Sequence, residues 1–492
     1  MFAALLFGAL TYGTSTRSID SSLFDPQLAG NLTLIIQALV LLFIGADVVI
    51  LALWRARGGG LPRFRWPSRA PAATRAVEVP RRSIELPSLS GAVGGLGRRL
   101  IGALPTGPRA VAFGGISLAI LAGFLALPPI TARSIAVPII FGIGAAVLGT
   151  WAVTRGARRA GYGAIVLAVV GATCGILATQ SSVENLDRVF VWSALVAASL
   201  RFATPLLFAA LGGMFSERSG VVNIGLEGMM LMGAFFAILV ADKSGSWIIG
   251  IGGALVAGAV IALIHAVVSI HLRADQIVSG VAINFLALGV TGYALINVYG
   301  GSGTPSGIAE VPNVRLAFLD PIPFLGDAFG DLNLLIWLSW ATLILAWVVM
   351  FRTPFGLRIS ATGEHPRAVD TVGLSVYRIR YTAVIISGML AALGGAFLSI
   401  GFVHSFSENM TAGRGFIALA ILIFGNWRPK GAFYGALLFG SMFALAPRLA
   451  VYSDSLAVLF NALPYVLTLI VVAGVIGRSI PPKAIGIPYL KR

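Results

Sequence analysis

Apolar runs of about 20 residues, the length of helix that crosses a hydrocarbon core ~30 Å thick, recur along most of this chain. They fall near residues 34–54, 110–127, 135–153, 161–179, 189–214, 224–241, 247–270, 277–299, 332–351, 381–403, 431–450 and 456–477. A shorter run, 415–427, either crosses or only re-enters. With 57% hydrophobic and 11% charged residues among 492, no soluble core absorbs this much apolar surface, so the chain is a polytopic membrane protein. Lipid offers no partner to an open backbone edge and the runs lack strand-like alternation, so they are read as helices. Gly250, Gly252 and Gly253, and the set Gly388, Ala391, Ala392, Gly394 and Gly395, predict close helix–helix approach.

The net charge of +16 would fit a polyanionic partner if it were spread evenly, but it is not. When 34–54 runs outward to inward and every run crosses, the inner segments hold Arg55 to Arg109, Arg155, Arg158, Arg159, Arg352, Arg358, Arg367, Arg378, Arg380, Arg428, Lys430, Arg478, Lys483, Lys491 and Arg492. The outer segments are acidic: Asp20, Asp25, Glu184, Asp187, Glu310, Asp320, Asp327, Asp331, Glu408 and Asp454. Basic residues inside and acidic ones outside report topology, and nucleic acid is not expected as a partner. The first apolar stretch lacks a basic leader, so no cleavable signal peptide is expected. A lone Cys174 excludes an internal disulfide framework.

Residues 58–109 interrupt the pattern with Arg, Pro, Gly and Ser, reading as a cytoplasmic linker that either touches anionic headgroups or is simply solvated. The outer loop 300–331, dense in Gly and Pro, is either a docking face or a slack connection. An internal echo is also present: "AALLFGAL" at 3–10 parallels "GALLFGSM" at 435–442, and 31–49 parallels 461–479 at nearly the same offset.

Two stretches carry most of the information. In "FRTPFGLRISATGEHPRAVDTVGLSVYRIRY", between two spans on the basic side, Pro366 and Gly373 bracket a short helix. A compact charged helix beneath a bundle suits a groove on a partner. In "FSERSGVVNIGLEGMMLMGAFFA", at 215–237, Asn223 and Glu227 are four residues apart and are expected to share a helical face. A carboxylate in a span needs a partner or water, so Glu227 either fixes helices by hydrogen bonding or contacts solute, and Arg201 is one candidate partner. No G-x-x-x-x-G-K-[ST] occurs, so nucleotide phosphates are not cradled in the P-loop manner. His265, His271, His365 and His404 form no zinc pattern, and no catalytic constellation is found. An ion-coupled secondary transporter is the alternative on these grounds, although it usually carries more intramembrane charge. A lipid-modifying membrane enzyme lacks convergent polar residues.

Both stretches resemble the permease subunits of bacterial ATP-binding-cassette importers for simple sugars and nucleosides, closest to the branch served by nucleoside-binding lipoproteins. The resemblance covers roughly 110–490, and its permease domain is taken as 110–492. It implies an all-α, polytopic transmembrane bundle with about 10 to 13 membrane segments, re-entrant ones included. It implies that Gly363, Glu364, Pro366, Ala368 and Gly373 belong to a coupling loop against an ATPase subunit, with His365 standing where the family more often has Asn. Glu217, Arg218, Ser219, Gly220, Asn223, Gly225, Glu227 and Gly228 match the family's other signature, on the translocation path or beside it. Residues 1–57 resemble the tail of the sister permease with which this branch pairs, which would account for the echo. Further implied are ATP bound on a partner subunit and no cofactor or metal in this chain, an external substrate-binding lipoprotein, and multi-pass insertion in the bacterial plasma membrane.

Overall fold

The computed structural model describes residues 107–125, 134–180, 191–300, 303–322, 324–450 and 479–491. The expected spans 34–54 and 456–477, the segment 1–57, nearly all of the basic linker and most of the internal echo lie outside the described residues. The described residues form two compact units, one below residue 190 and one from Val191 onward.

The first unit is three antiparallel-connected helices, α1 (Pro108–Phe124), α2 (Ala136–Thr154) and α3 (Arg158–Gln180), each packed on the other two. Its seams are made of small residues. A Cβ on Gly171 would lie 2.0 Å from the Ala119 carbonyl oxygen, and one on Gly149 would lie 2.9 Å from that of Gly161. Only glycine lets these backbones approach so closely.

The second unit opens with α4 (Trp192–Arg218), a 27-residue helix. Then come α5 (Leu226–Ser244), α6 (Trp247–Ala266), which continues as a π-helical turn Val267–His271, and α7 (Gln276–Tyr299). The loop beyond α7 contains β1 (Asn313–Arg315), the short α8 (Leu325–Phe329) and β2 (Asp331–Asn333). The two strands pair antiparallel with Asn313 opposite Asn333, so this loop is built rather than slack. It delivers the chain into α9 (Leu334–Arg352), whose first turn is capped by the Asn333 side chain.

Pro354 and Pro366 open two helices in succession, α10 (Pro354–Glu364) and α11 (Pro366–Thr371). Gly373 follows at φ +81°, the left-handed stop that the spacing predicts. Next are α12 (Val376–Ala396), extended by a π-helical turn Phe397–Val403, then α13 (Arg414–Phe424) and α14 (Pro429–Ala450). At 11 residues α13 spans only ~16 Å, about half a hydrocarbon core, and the irregular chain 404–413 leads into it.

Six of the described helices are long and apolar enough to cross a membrane, and the architecture is that of an all-α multi-pass membrane protein. The centre of the second unit is α4, α5 and α12, where α12 is the most enclosed of the candidate spans and α4 the next. The glycines of α12 allow this. A Cβ on Gly395 would lie 1.8 Å from the Met230 carbonyl oxygen, and one on Gly388 would lie 2.4 Å from that of Gly258. The α6 glycines divide: Gly250 and Gly253 pack against α5, whereas Gly252 meets nothing within 4 Å.

Candidate functional site

Between α4 and α5 the chain leaves the helix for residues 219–225, and most of that segment is buried. Here the structure departs from the sequence expectation that Asn223 and Glu227 share a helical face. Gly220 turns at φ +92°, and α5 begins only at Leu226. Buried irregular backbone must find partners outside a helix, and it finds them on neighbouring side chains. The Val222 N–H donates to Gln276 Oε1 at 2.7 Å, and the Val222 carbonyl lies 3.0 Å from His265 Nε2. A carbonyl only accepts, so Nε2 carries the proton, and Nδ1 accepts from Ser279 Oγ at 2.9 Å. Asn284 holds the next turn, donating to the Ile224 carbonyl at 3.1 Å and accepting from the Gly228 N–H at 2.8 Å. Ser216 Oγ donates to the Val221 carbonyl.

Asn223 and Glu227 thus have separate partners. Asn223, fully buried, donates from Nδ2 to Ser387 Oγ at 2.9 Å, tying the segment to α12. Glu227, in the first turn of α5, accepts from the backbone N–H of Gly413 at 2.7 Å and of Gly415 at 2.5 Å. Those amides open α13, so a carboxylate from another helix caps the short helix and complements the positive end of its dipole. Arg201 is not its partner. Gly415 is required at this contact, because a Cβ there would lie 2.5 Å from the Glu227 backbone.

The other end of α13 is tied down by the same signature. Glu217 Oε2 accepts the Trp427 indole N–H at 2.6 Å, and Arg218 Nε donates to the Trp427 carbonyl at 2.6 Å. Arg218 also reaches Ser360 Oγ on α10 at 3.3 Å, and its guanidinium lies over the Phe351 ring. Gly363 makes a further junction: it is buried, and a Cβ there would lie 2.1 Å from the Arg218 carbonyl oxygen. Glu217 and Arg218 therefore link the end of α4 to the short helix and to α10.

The remaining candidate residues of the loop face outward. Glu364, Ala368 and Gly373 are exposed, and Pro366 is half-buried at the start of α11. Beside them are exposed His365 and Arg367, with Leu357 and Val372 each about 70% exposed (70% and 71%). This is a mixed charged and apolar surface. Among the described residues no cluster of His, Cys, Asp or Glu could hold a metal ion.

Beside the Glu227 cap lies a cavity of ≈ 320 Å³, bounded by α5, α7 and the approach to α13. Phe285 and Phe416 contribute aromatic wall, while Glu227, Asn284 and Asn409 contribute polar edges. Sequence reading missed Gln276, Asn284, Ser387 and Trp427. Amides and hydroxyls inside apolar runs were the signal that could have found the first three.

Residues 195–472 match the family described as branched-chain amino acid transport system / permease component. The chain belongs to this permease family. It is 43% identical over 316 residues to a guanosine ABC transporter permease protein, NupQ, of Bacillus subtilis, covering 62% of this chain and 99% of that protein. A nucleoside ABC transporter permease protein, NupC, of Lactococcus lactis is 40% identical over 308 residues, or 60% of this chain and 96% of that protein. A putative glucose ABC transporter permease protein, TsgC13, of Haloferax volcanii is 36% identical over 258 residues, or 52% and 77%. No solved structure matches the chain. The permease is thus the membrane component of an ABC importer, and ion-coupled transport gives way to that reading. The matched residues begin close to Val191, where the second compact unit begins, and α1–α3 precede both.

Proposed function

We propose that this permease moves nucleosides across the bacterial plasma membrane, driven by a separate ATPase that docks on α10 and α11. One observation carries the choice of solute: the cavity beside Glu227 pairs aromatic wall from Phe285 and Phe416 with the amides Asn284 and Asn409. A nucleobase needs an apolar face for stacking and a few placed polar groups at its edge, and a ribose needs hydrogen-bonding partners. Relatives named for guanosine and nucleoside transport support the same class.

For the ATPase, the support is the exposed surface of Glu364, Ala368, Gly373 and their neighbours, joined through Gly363, Ser360 and Arg218 to the signature segment. Closure of the ATPase on ATP biases the bundle only by the difference in its affinity for the two bundle states. Glu217, Asn223 and Glu227 fix the helices around the path, and the cavity lining contacts the solute. ATP binds on the partner. A second permease subunit completes the pathway, and an external lipoprotein delivers solute. Two Bacillus subtilis guanosine permease proteins match this chain, NupQ at 43% and NupP at 25% identity, which favours a paired assembly.

Uptake of labelled guanosine, ribose and glucose into vesicles carrying the complete transporter tests the solute. Guanosine uptake that unlabelled nucleosides suppress and glucose does not is the expected result. Glucose uptake unaffected by nucleosides overturns the nucleoside assignment while leaving the permease role intact.

A further inference from the structure

Residues 479–491 run as an extended, turn-containing strap in the second unit, and their bonds go to five different parts of it. The Ile480 N–H donates to Asn426 Oδ1, just beyond α13, at 2.9 Å. The Ala484 N–H donates to the Gly363 carbonyl, at the end of α10, at 2.8 Å. The Gly486 N–H donates to the Gly220 carbonyl, in the signature turn, at 3.1 Å. Arg380 of α12, only 1% exposed, donates from Nη1 to the Ile487 carbonyl at 3.1 Å and from Nε to the Ser219 carbonyl at 3.2 Å. At the far end Tyr377 Oη donates to the Tyr489 carbonyl at 3.3 Å, and Lys491 Nζ lies 3.7 Å from the Asp370 carboxylate of α11.

This pattern differs from a tail lying on a surface. Ala484 and Tyr489 are buried, and Gly486 turns at φ +74°, placing successive amides against different elements. The α10 bond at Ala484 is followed at Gly486 and Ile487 by bonds to the signature turn and to α12, and the α12 bond at Tyr489 is followed at Lys491 by the contact with α11. Otherwise α10 is bonded through Ser360 to Arg218 at the end of α4, and α11 runs into α12 through residues 372–375.

We propose that the strap 479–491 is the mechanical link that carries displacement of α10 and α11 into the signature turn and α12. A rigid connection with several bonds on each side moves both together, whereas separately solvated helices slide past one another. This rests on the reading that an ATPase docks on α10 and α11, and it adds that the strap carries most of the motion that docking transmits.

The test uses the complete transporter in vesicles, comparing the intact chain, a chain lacking residues 479–492, and Gly486→Ala, which keeps the strap but strains its left-handed turn. Three quantities are read: co-purification of the ATPase, ATP hydrolysis, and solute moved per ATP. The ATPase should co-purify with all three chains, and hydrolysis should persist. Solute moved per ATP should fall about tenfold on deletion and severalfold in Gly486→Ala, with the melting temperature of the latter little changed. Unaltered stoichiometry in both variants overturns the link. Loss of ATPase binding in the deleted chain also overturns it, because the strap would then belong to the docking surface. Should the deleted chain fail to fold, Gly486→Ala alone decides. An ATPase that fails to bind even the intact chain instead defeats the docking reading.

Discussion

The three-helix unit α1–α3 and the larger unit from Val191 onward are both apolar helical assemblies, yet they are held in different ways. In α1–α3 the hydroxyls of Ser117, Thr150, Thr154 and Thr179 bond back to their own helices, and the helices meet through glycine and alanine. In the larger unit hydroxyls such as Ser199, Thr204 and Thr291 do the same, but other polar side chains cross between elements: Glu227 to α13, Asn223 to α12, Gln276 and Asn284 to the 219–225 segment, Glu217 and Arg218 to Trp427. Small-residue seams give close contact without tying one helix end to another. Polar cross-links at breaks in the helices define where the bundle is jointed, which is what a molecule that exchanges two states requires.

The widest separation between the two units should come from Glu227→Ala. It removes the acceptor of one buried and one half-buried amide at the start of α13, bonds costly to leave unmade, so a loss of about 2–3 kcal/mol is expected. Uptake should fall to background, and Glu227→Gln should recover part of the stability because one oxygen still accepts. Melting in detergent and vesicle uptake measure both. A smaller effect, about 2 kcal/mol, is expected for Trp427→Phe, which leaves the buried Glu217 carboxylate short of one donor while Arg218 keeps its bond to the Trp427 carbonyl.

In the three-helix unit the sensitive positions are steric. Gly171→Ala places a methyl against the Ala119 carbonyl and should cost about 1–2 kcal/mol through displaced backbone, with uptake by the folded fraction unchanged. Equal uptake defects for Gly171→Ala and Trp427→Phe would erase the distinction between the units. The smallest effect is expected for Ser117→Ala on exposed α1 surface, below about 0.5 kcal/mol by the same melting assay.

Much of this was legible in the sequence because hydrophobic length is a strong signal. The runs 135–153, 277–299 and 332–351 became α2, α7 and α9 with ends shifted by no more than two residues, and the run 415–427 became the short α13. Pro366 and Gly373 marked α11 through their own backbone geometry. The chemistry of the signature was harder to read. Asn223 and Glu227 have helical spacing, but the glycines at 220 and 225 and the partners Gln276 and His265, some 40 to 55 residues away, support an irregular segment instead (|i−j| 43 and 54). Arg380 reads as an ordinary basic-side arginine, and its burial depends on a strap about 100 residues further on (|i−j| 107). Long-range pairing of this kind leaves no periodicity to detect.

On the proposed mechanism, ATP hydrolysed on a subunit gripping α10 and α11 powers solute movement through this chain. Guanosine uptake into vesicles carrying the complete transporter, measured with ATP enclosed on the ATPase side and with ionophores collapsing proton and sodium gradients, tests it most directly. Uptake that requires ATP and is indifferent to the ionophores is expected. Uptake that proceeds without ATP and vanishes when the gradients are collapsed would contradict it.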